Sequence, residues 1–346
     1  MAKTVKLADI AEKYGVSTVT VSKALSGQKG VSEELRTQIR TTAEELGYMS
    51  PSARRQERRQ SSSYSLGVII ANQFLGKYNS FYMQLHQLIA AEAIARESFA
   101  MMEGISHEME LSLAAPKIVR ENRADGIIIV GKLSDAYLDM LREEVTVPMI
   151  YLDFTDRKFD SDAVISDSYY GAYVLTNYLF EMGHSRIAYV GSVLATGSIT
   201  DRYLGYLKSM MEHHMQVLPE WVIDDRDINT GKIDGVSYCE IPDPLPDAFI
   251  CNCDLTASVM VKKLEDRGLR IPRDVSIVGY DSFLYPGLCD VALTTYEVDM
   301  EEMARRTVKN LLCKIRREPY RKGTIIIEGK LLIRDSVLDR RNRTAK

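Results

Sequence analysis

Two short amphipathic segments joined at Gly15-Val16-Ser17 open the chain, and they restrict its first fifty residues more tightly than anything downstream. From Lys6 to Tyr14, Leu7, Ile10 and Ala11 recur at i, i+3 and i+4, one face of a helix. Gly15 can take the left-handed conformation that ends such a helix, and Ser17 can cap the next one. In the second segment Val21, Ala24 and Leu25 can pack inward. That leaves Thr18, Val19, Thr20, Ser22 and Lys23 outward, short or basic enough to enter a major groove. Ser32 is placed to cap a third helix with Glu33 and Glu34 in its first turn, running through Ile39, Ala43 and Leu46 to stop at Gly47-Tyr48. Three helices close one small core, and the pattern predicts an α-helical helix-turn-helix headpiece over residues 1–49.

Charge agrees with that assignment. The first sixty residues hold 11 Lys and Arg against 7 Asp and Glu, whereas all 346 residues hold 44 against 48, net −4. Positive charge is concentrated where a phosphate backbone would lie, so DNA affinity should fall steeply with salt. The N-terminus lacks a signal-peptide pattern and no apolar run reaches the length of a membrane span, which predicts a cytoplasmic protein with no membrane partner. Cys239, Cys251, Cys253, Cys289 and Cys313 lack zinc-type spacing and read as buried thiols, with no metal and no cofactor expected.

Residues 50–64 are polar and charged without an apolar stripe, which marks a hinge or linker. From Ser65 onward apolar strand-like runs alternate with helical segments, the pattern of parallel βαβ units. A first lobe is expected from 65–161 and 292–325, a second from 162–291 and 326–340, with a tail at 341–346. Ligands in open parallel sheets sit beyond the carboxyl ends of strands, so two facing lobes predict a cleft.

The chain resembles the LacI/GalR family of bacterial transcription regulators. The residues that carry the resemblance are Val5 to Ile10, Gly15-Val16-Ser17, Thr20-Val21-Ser22-Lys23, Val31-Ser32 and Ala43 to Tyr48. In the body they are Asp167 to Gly171, Gly183 to Ala188, Arg202 to Tyr206, Gly268 to Asp281 and Leu293 to Thr295. The resemblance implies a two-lobed, periplasmic-binding-protein-like α/β body with Rossmann-like lobes behind the headpiece. It implies DNA contacts from Lys6, Ser17, Thr18, Val19, Thr20, Ser22, Lys23, Ser32, Arg54 and Arg55, with Thr18, Val19 and Lys23 reading bases. It also implies an effector site formed by Asn79, Phe81, Tyr82, Arg202, Asn252, Cys253, Asp254 and Asp281, in which Arg202, just before an expected helix, offers a rigid fork of donors and Asp281, just after a strand, two acceptors, a combination suited to sugar hydroxyls.

Two departures stand out. The leucine that the family wedges between base steps falls here on Gln56 or Glu57, leaving a flexible tether and a DNA-ordered hinge helix as alternatives. Where the family places an amide toward the ligand, this chain has Cys253, so either Asn252 shifts into that role or the ligand makes fewer hydrogen bonds.

The reading is therefore a sequence-specific regulator, a repressor, controlled by a small effector, a carbohydrate, and acting as a homodimer on a near-palindromic double-stranded operator. The alternatives are a nucleobase-responsive or effector-independent regulator of the same fold, or a sugar- or nucleotide-active enzyme carrying a DNA module. The enzyme alternative has no P-loop, Gly-x-Gly-x-x-Gly, His-Glu-x-x-His or Gly-x-Ser-x-Gly to support it. Glu103 and Asp153 read as ordinary strand-end acids.

Overall fold

The computed structural model describes residues 7–26, 30–46, 48, 63–75, 80–156, 162–227, 231, 233, 236–284 and 287–341. Lys6, Arg54, Arg55 and Asn79 lie outside the described residues, as does nearly all of the expected hinge. The chain divides into two compact units, residues 1–64 and 65–346.

The first unit holds α1 (Leu7–Tyr14), α2 (Thr18–Ser26) and α3 (Glu33–Glu45). Ile10, Ala11, Val21, Ala24, Ile39 and Ala43 form its buried core. Gly15 sits at φ +62°, and the Val16 N–H returns to the Ala11 carbonyl at 3.1 Å, a Schellman-type closure of α1. Ser17 Oγ accepts from the Thr20 N–H at 3.1 Å, and Ser32 Oγ accepts from the Leu35 N–H at 3.4 Å, so both expected caps form. One expectation fails: α3 ends at Glu45 and Leu46 is exposed, because Tyr48 folds back to pack on the core instead.

The second unit is built on two six-stranded sheets. Its strands are β1 (Ser65–Ala71), β2 (Phe99–Ile105), β3 (Gly126–Val130), β4 (Met149–Leu152), β5 (Ala163–Ser166), β6 (Ile187–Val190), β7 (Val222–Ile223), β8 (Ala248–Cys251), β9 (Ser276–Asp281), β10 (Thr294–Glu297), β11 (Thr324–Ile327) and β12 (Lys330–Leu332). The first sheet runs β11-β5-β4-β3-β1-β2 and the second β12-β10-β9-β8-β6-β7. Among the described residues, all pairings of these strands are parallel except β10 with β12. Continuous burial along β1, β3, β6 and β8 follows from helices covering both faces.

Helices α4 (Phe81–Ile94), α5 (His107–Ser112), α6 (Lys117–Arg120) and α7 (Asp135–Glu144) serve the first lobe; α8 (Ser168–Glu181), α9 (Gly197–Glu212) and α10 (Asp254–Asp266) serve the second. The helical segment after β2 is split into α5 and α6, because Leu113 turns left-handed at φ +53° and Pro116 bars continuation.

Three lobe assignments differ from the sequence expectation. β5 pairs with β4 and β11, so the chain leaves the first lobe after Ser166 and not at 162. β10 remains in the second sheet, so the return comes after Glu297 and not at 292. β11 extends through Ile327 in the first sheet, two residues past the expected 325. The long helix α11 (Met300–Arg316) then lies on the first lobe, its Lys314 Nζ bonded to the Met149 carbonyl and to Asp162 at 2.7 Å each. Edge strands exchange between the two sheets, and a local sequence window cannot say which sheet receives them.

Candidate functional site

On the headpiece, α2 presents Thr18, Val19, Ser22 and Lys23 to solvent. Val19 is 60 % exposed, which is notable for a β-branched apolar residue on a helix whose opposite face supplies the core. Thr20 is half-buried and its hydroxyl lies 2.9 Å from Ser17 Oγ, so part of its capacity goes to the helix cap. Ser17 and Ser32 are exposed caps at the starts of α2 and α3, where N–H groups can meet phosphate. Sequence reasoning missed Arg36, a buried residue on α3. Its Nη1 reaches the Ala24 carbonyl at 3.5 Å and holds the end of α2.

In the body, the strand ends bring together residues from both lobes. Ser80 caps α4, and Phe81 and Tyr82 begin it. Phe81 meets Phe283 of the second lobe edge-on, centroids 6.3 Å apart, and Tyr82 packs against Phe74 at 5.0 Å. The Tyr82 hydroxyl donates to Asp153 Oδ2 at 2.7 Å. Asp153 is therefore part of the cleft, contrary to its reading as an ordinary strand-end acid. Burial raises its pKa, opposed by the Tyr82 hydrogen bond and the charge of Arg202. Its place just beyond β4 was the available signal.

Arg202 lies inside α9, not before it, because the helix starts at Gly197 under a Thr196 cap. It is buried, with Nη1 donating to the Asn252 carbonyl at 2.6 Å and the guanidinium 3.9 Å above the Tyr280 ring. Asp281 ends β9 at φ +89°, followed by Ser282 at φ +53°. Two consecutive non-glycine residues in this region are strained, a condition that clusters at ligand sites. Asp281 Oδ1 accepts from the Phe283 N–H at 2.9 Å. Burial and the neighbouring Asp254 hold its carboxyl well above the usual carboxylate range.

Asp254 starts α10. Its Oδ1 is buried with no hydrogen-bond partner, in space that exists because residue 279 is glycine; a Cβ there would overlap that oxygen. Burial pushes its carboxyl up to about 7, against the opposing Thr295 hydroxyl and Arg334.

Asn252 does not shift into the ligand-facing role. Its Nδ2 donates to Val190 O at 3.1 Å and Asp225 Oδ2 at 2.7 Å, and its Oδ1 accepts from Arg226 Nη2 at 3.0 Å. Cys253 caps α10 through its sulfur, which accepts from the Thr256 N–H at 3.4 Å. Burial raises its thiol pKa. Arg226, just beyond β7, was not anticipated. It pairs with Asp225 through Nε and Nη2, and Nη2 also lies 3.9 Å from Cys253 Sγ. Asp225 is held down at about 2; burial opposes ionisation, but the Arg226 fork and the Thr256 hydroxyl outweigh it.

Only part of the expected thiol burial is seen: Cys239 and Cys251 are buried, and Cys253, Cys289 and Cys313 partly so. Among the described residues no helix is long and apolar enough to cross a membrane.

Residues 6–51 match the family model described as bacterial regulatory proteins, lacI family, and residues 176–337 match a periplasmic binding protein-like domain. The chain thus joins a LacI-type DNA-binding domain to a periplasmic-binding-protein-like body. It is a DNA-binding regulator and not an enzyme. The HTH-type transcriptional repressor PurR of Klebsiella pneumoniae is 25 % identical to this chain over 333 residues, 96 % of each. PurR of Pasteurella multocida is 26 % identical, covering 96 % of this chain and 98 % of its own. Among solved structures, a CelR–cellobiose complex superposes at TM-score 0.68 with 22 % identity, covering 96 % of this chain and 99 % of that one. A lac repressor dimer bound to operator and the anti-inducer ONPF gives 0.65 with 22 % identity, covering 97 % and 100 %. These two share the fold.

Proposed function

We propose that this LacI-family regulator is a cytoplasmic repressor that binds a near-palindromic operator as a homodimer through α2, and that a small carbohydrate in the interlobe cleft controls its affinity. The observation that carries the effector reading is the convergence of buried Arg202, strained Asp281 and the Tyr82–Asp153 pair beside the Phe81–Phe283 contact. Donors, acceptors and an aromatic wall are what a polyhydroxylated ring requires. Effector binding stabilises one arrangement of the lobes and is linked to operator affinity by a coupling free energy. Asn79, Arg54 and Arg55 keep their proposed roles on resemblance alone.

A nucleobase effector is the second reading. It is favoured by the PurR relatives and by the ring cluster of Phe74, Phe81, Tyr82 and Phe283, which could stack on a planar base.

A thermal-shift screen of the full chain against sugars and nucleobases tests both, since a ligand that binds only the folded state raises its melting temperature. A shift from a sugar, lost in Arg202→Ala, supports the carbohydrate reading. A shift from nucleobases alone replaces it.

A further inference from the structure

Asn252 brackets two arginines. Arg202 Nη1 takes its main-chain carbonyl at 2.6 Å, and Arg226 Nη2 takes its side-chain oxygen at 3.0 Å. Two guanidinium groups are thus fixed on one residue at the second lobe's wall of the cleft. Both are largely buried: Arg202 is 8 % exposed and the Arg226 side chain 14 %.

Their charge compensation is unequal. Asp225, fully buried, neutralises Arg226 through Nε and Nη2 and leaves Nη1 without a hydrogen bond among the described residues. Arg202 has no carboxylate at ion-pair distance among the described residues, and its Nε is buried without a partner. Two buried guanidinium groups with a single carboxylate at ion-pair distance are less well compensated than they become when an anion arrives.

The cleft's other acids favour the charge of Arg202 only from beyond ion-pair distance. Asp153 is engaged by the Tyr82 hydroxyl and Asp281 by the Phe283 N–H, and burial favours the neutral form of each. Cys253, where a carboxamide or carboxylate would give Arg226 a strong acceptor, offers only a thiol 3.9 Å away.

We propose that the effector is a sugar acid whose carboxylate is received jointly by Arg202 and Arg226, while its hydroxyls face Asp153 and Asp281. This rests on the interlobe cleft being the effector site. The geometry favours a planar, singly charged carboxylate over a phosphate dianion, because Asp225 already consumes one face of the Arg226 fork.

The test is a thermal-shift and calorimetric titration of the full chain with matched sets: hexoses, their uronates and aldonates, hexose phosphates, and nucleobases, each at up to about 10 mM. The expected result is a shift from one of the acids, with its neutral counterpart bound at least about tenfold more weakly, the worth of one charge-assisted contact. The double variant Asp225→Asn with Arg226→Gln removes both members of the ion pair and so leaves no orphaned charge; with Arg202 alone to receive the carboxylate, its preference for the acid should fall at least about threefold. Arg226→Lys, which keeps the charge but not the fork, should retain part of the preference.

A neutral sugar bound as tightly as its acid overturns the charge assignment and leaves the carbohydrate reading standing. Binding of nucleobases alone overturns both, as does no shift from any compound. A hexose phosphate bound in preference to every acid overturns the carboxylate, and a preference for the acid that is undiminished in the double variant overturns the role of Arg226.

Discussion

Asn252 spends its hydrogen-bonding groups on the protein itself, and that decides what its removal would do. Asn252→Ala takes away partners of Val190, Asp225 and Arg226 together and leaves a buried carboxylate less well satisfied. The expected loss is about 2 kcal/mol or more of folding stability, measured by urea unfolding of the body, where a merely ligand-facing amide would cost almost nothing. Asp254 gives a pH-dependent counterpart. Its carboxyl moves from an ordinary value near 3.8 to about 7 on folding, facing Thr295, Tyr280, Asp281, Arg202 and Arg334. A raised carboxyl contributes stability that is present below its unfolded value and lost as pH rises through the folded one. Asp254→Asn, which keeps the shape but not the titration, should therefore raise the melting temperature relative to the native chain at pH 8 and leave it nearly unchanged at pH 4. Asp225, held at about 2, works the other way, and its contribution fades only as pH falls from about 4 toward 2. Residue identities were readable where spacing alone fixes the role, as with Gly15 and Ser17. Arg226 and Asp153 were not, because a loop residue beyond a strand acquires its partners only when distant elements assemble around it.

At the scale of elements, α8 and α9 approach so closely at Gly205 that a Cβ there would sit 2.1 Å from the Tyr169 carbonyl oxygen. Neither backbone can yield without tilting a helix of 14 or 16 residues. Gly205→Ala should cost about 1–3 kcal/mol in urea unfolding despite alanine's better helix propensity, a sign reversal that overpacking explains. The same pair carries Arg202, so the substitution should also weaken effector binding without altering the headpiece. Element identity was legible wherever signals are local: the three headpiece helices follow from periodicity and caps, and α7 from Ser134. Membership of β5 and β10 in their sheets was not, since it depends on pairing with strands far away in sequence.

For the molecule as a whole, charge separates the two units, with the basic excess confined to the first sixty residues of a chain whose net charge is −4. The body's surplus of acid repels a phosphate backbone, so operator affinity must come from few cations working locally. Counterion release then makes the logarithm of the binding constant fall linearly with the logarithm of salt, with a slope set by the phosphates neutralised. If Lys23 on exposed α2 reads a base, Lys23→Ala should lower operator affinity and flatten the preference for operator over unrelated DNA. Were it only a phosphate contact, both affinities would fall together and the slope would drop by about one per site. Fluorescence anisotropy with operator and scrambled duplexes, each over a salt series and with the protein concentration held above that needed for a dimer, separates the two. An effector acting through the lobes should displace the operator line while leaving its slope nearly unchanged, because it alters the arrangement of two headpieces and not the charges either presents. A slope that collapses with effector would mean that the headpieces leave the DNA altogether and that the residual binding is of another kind.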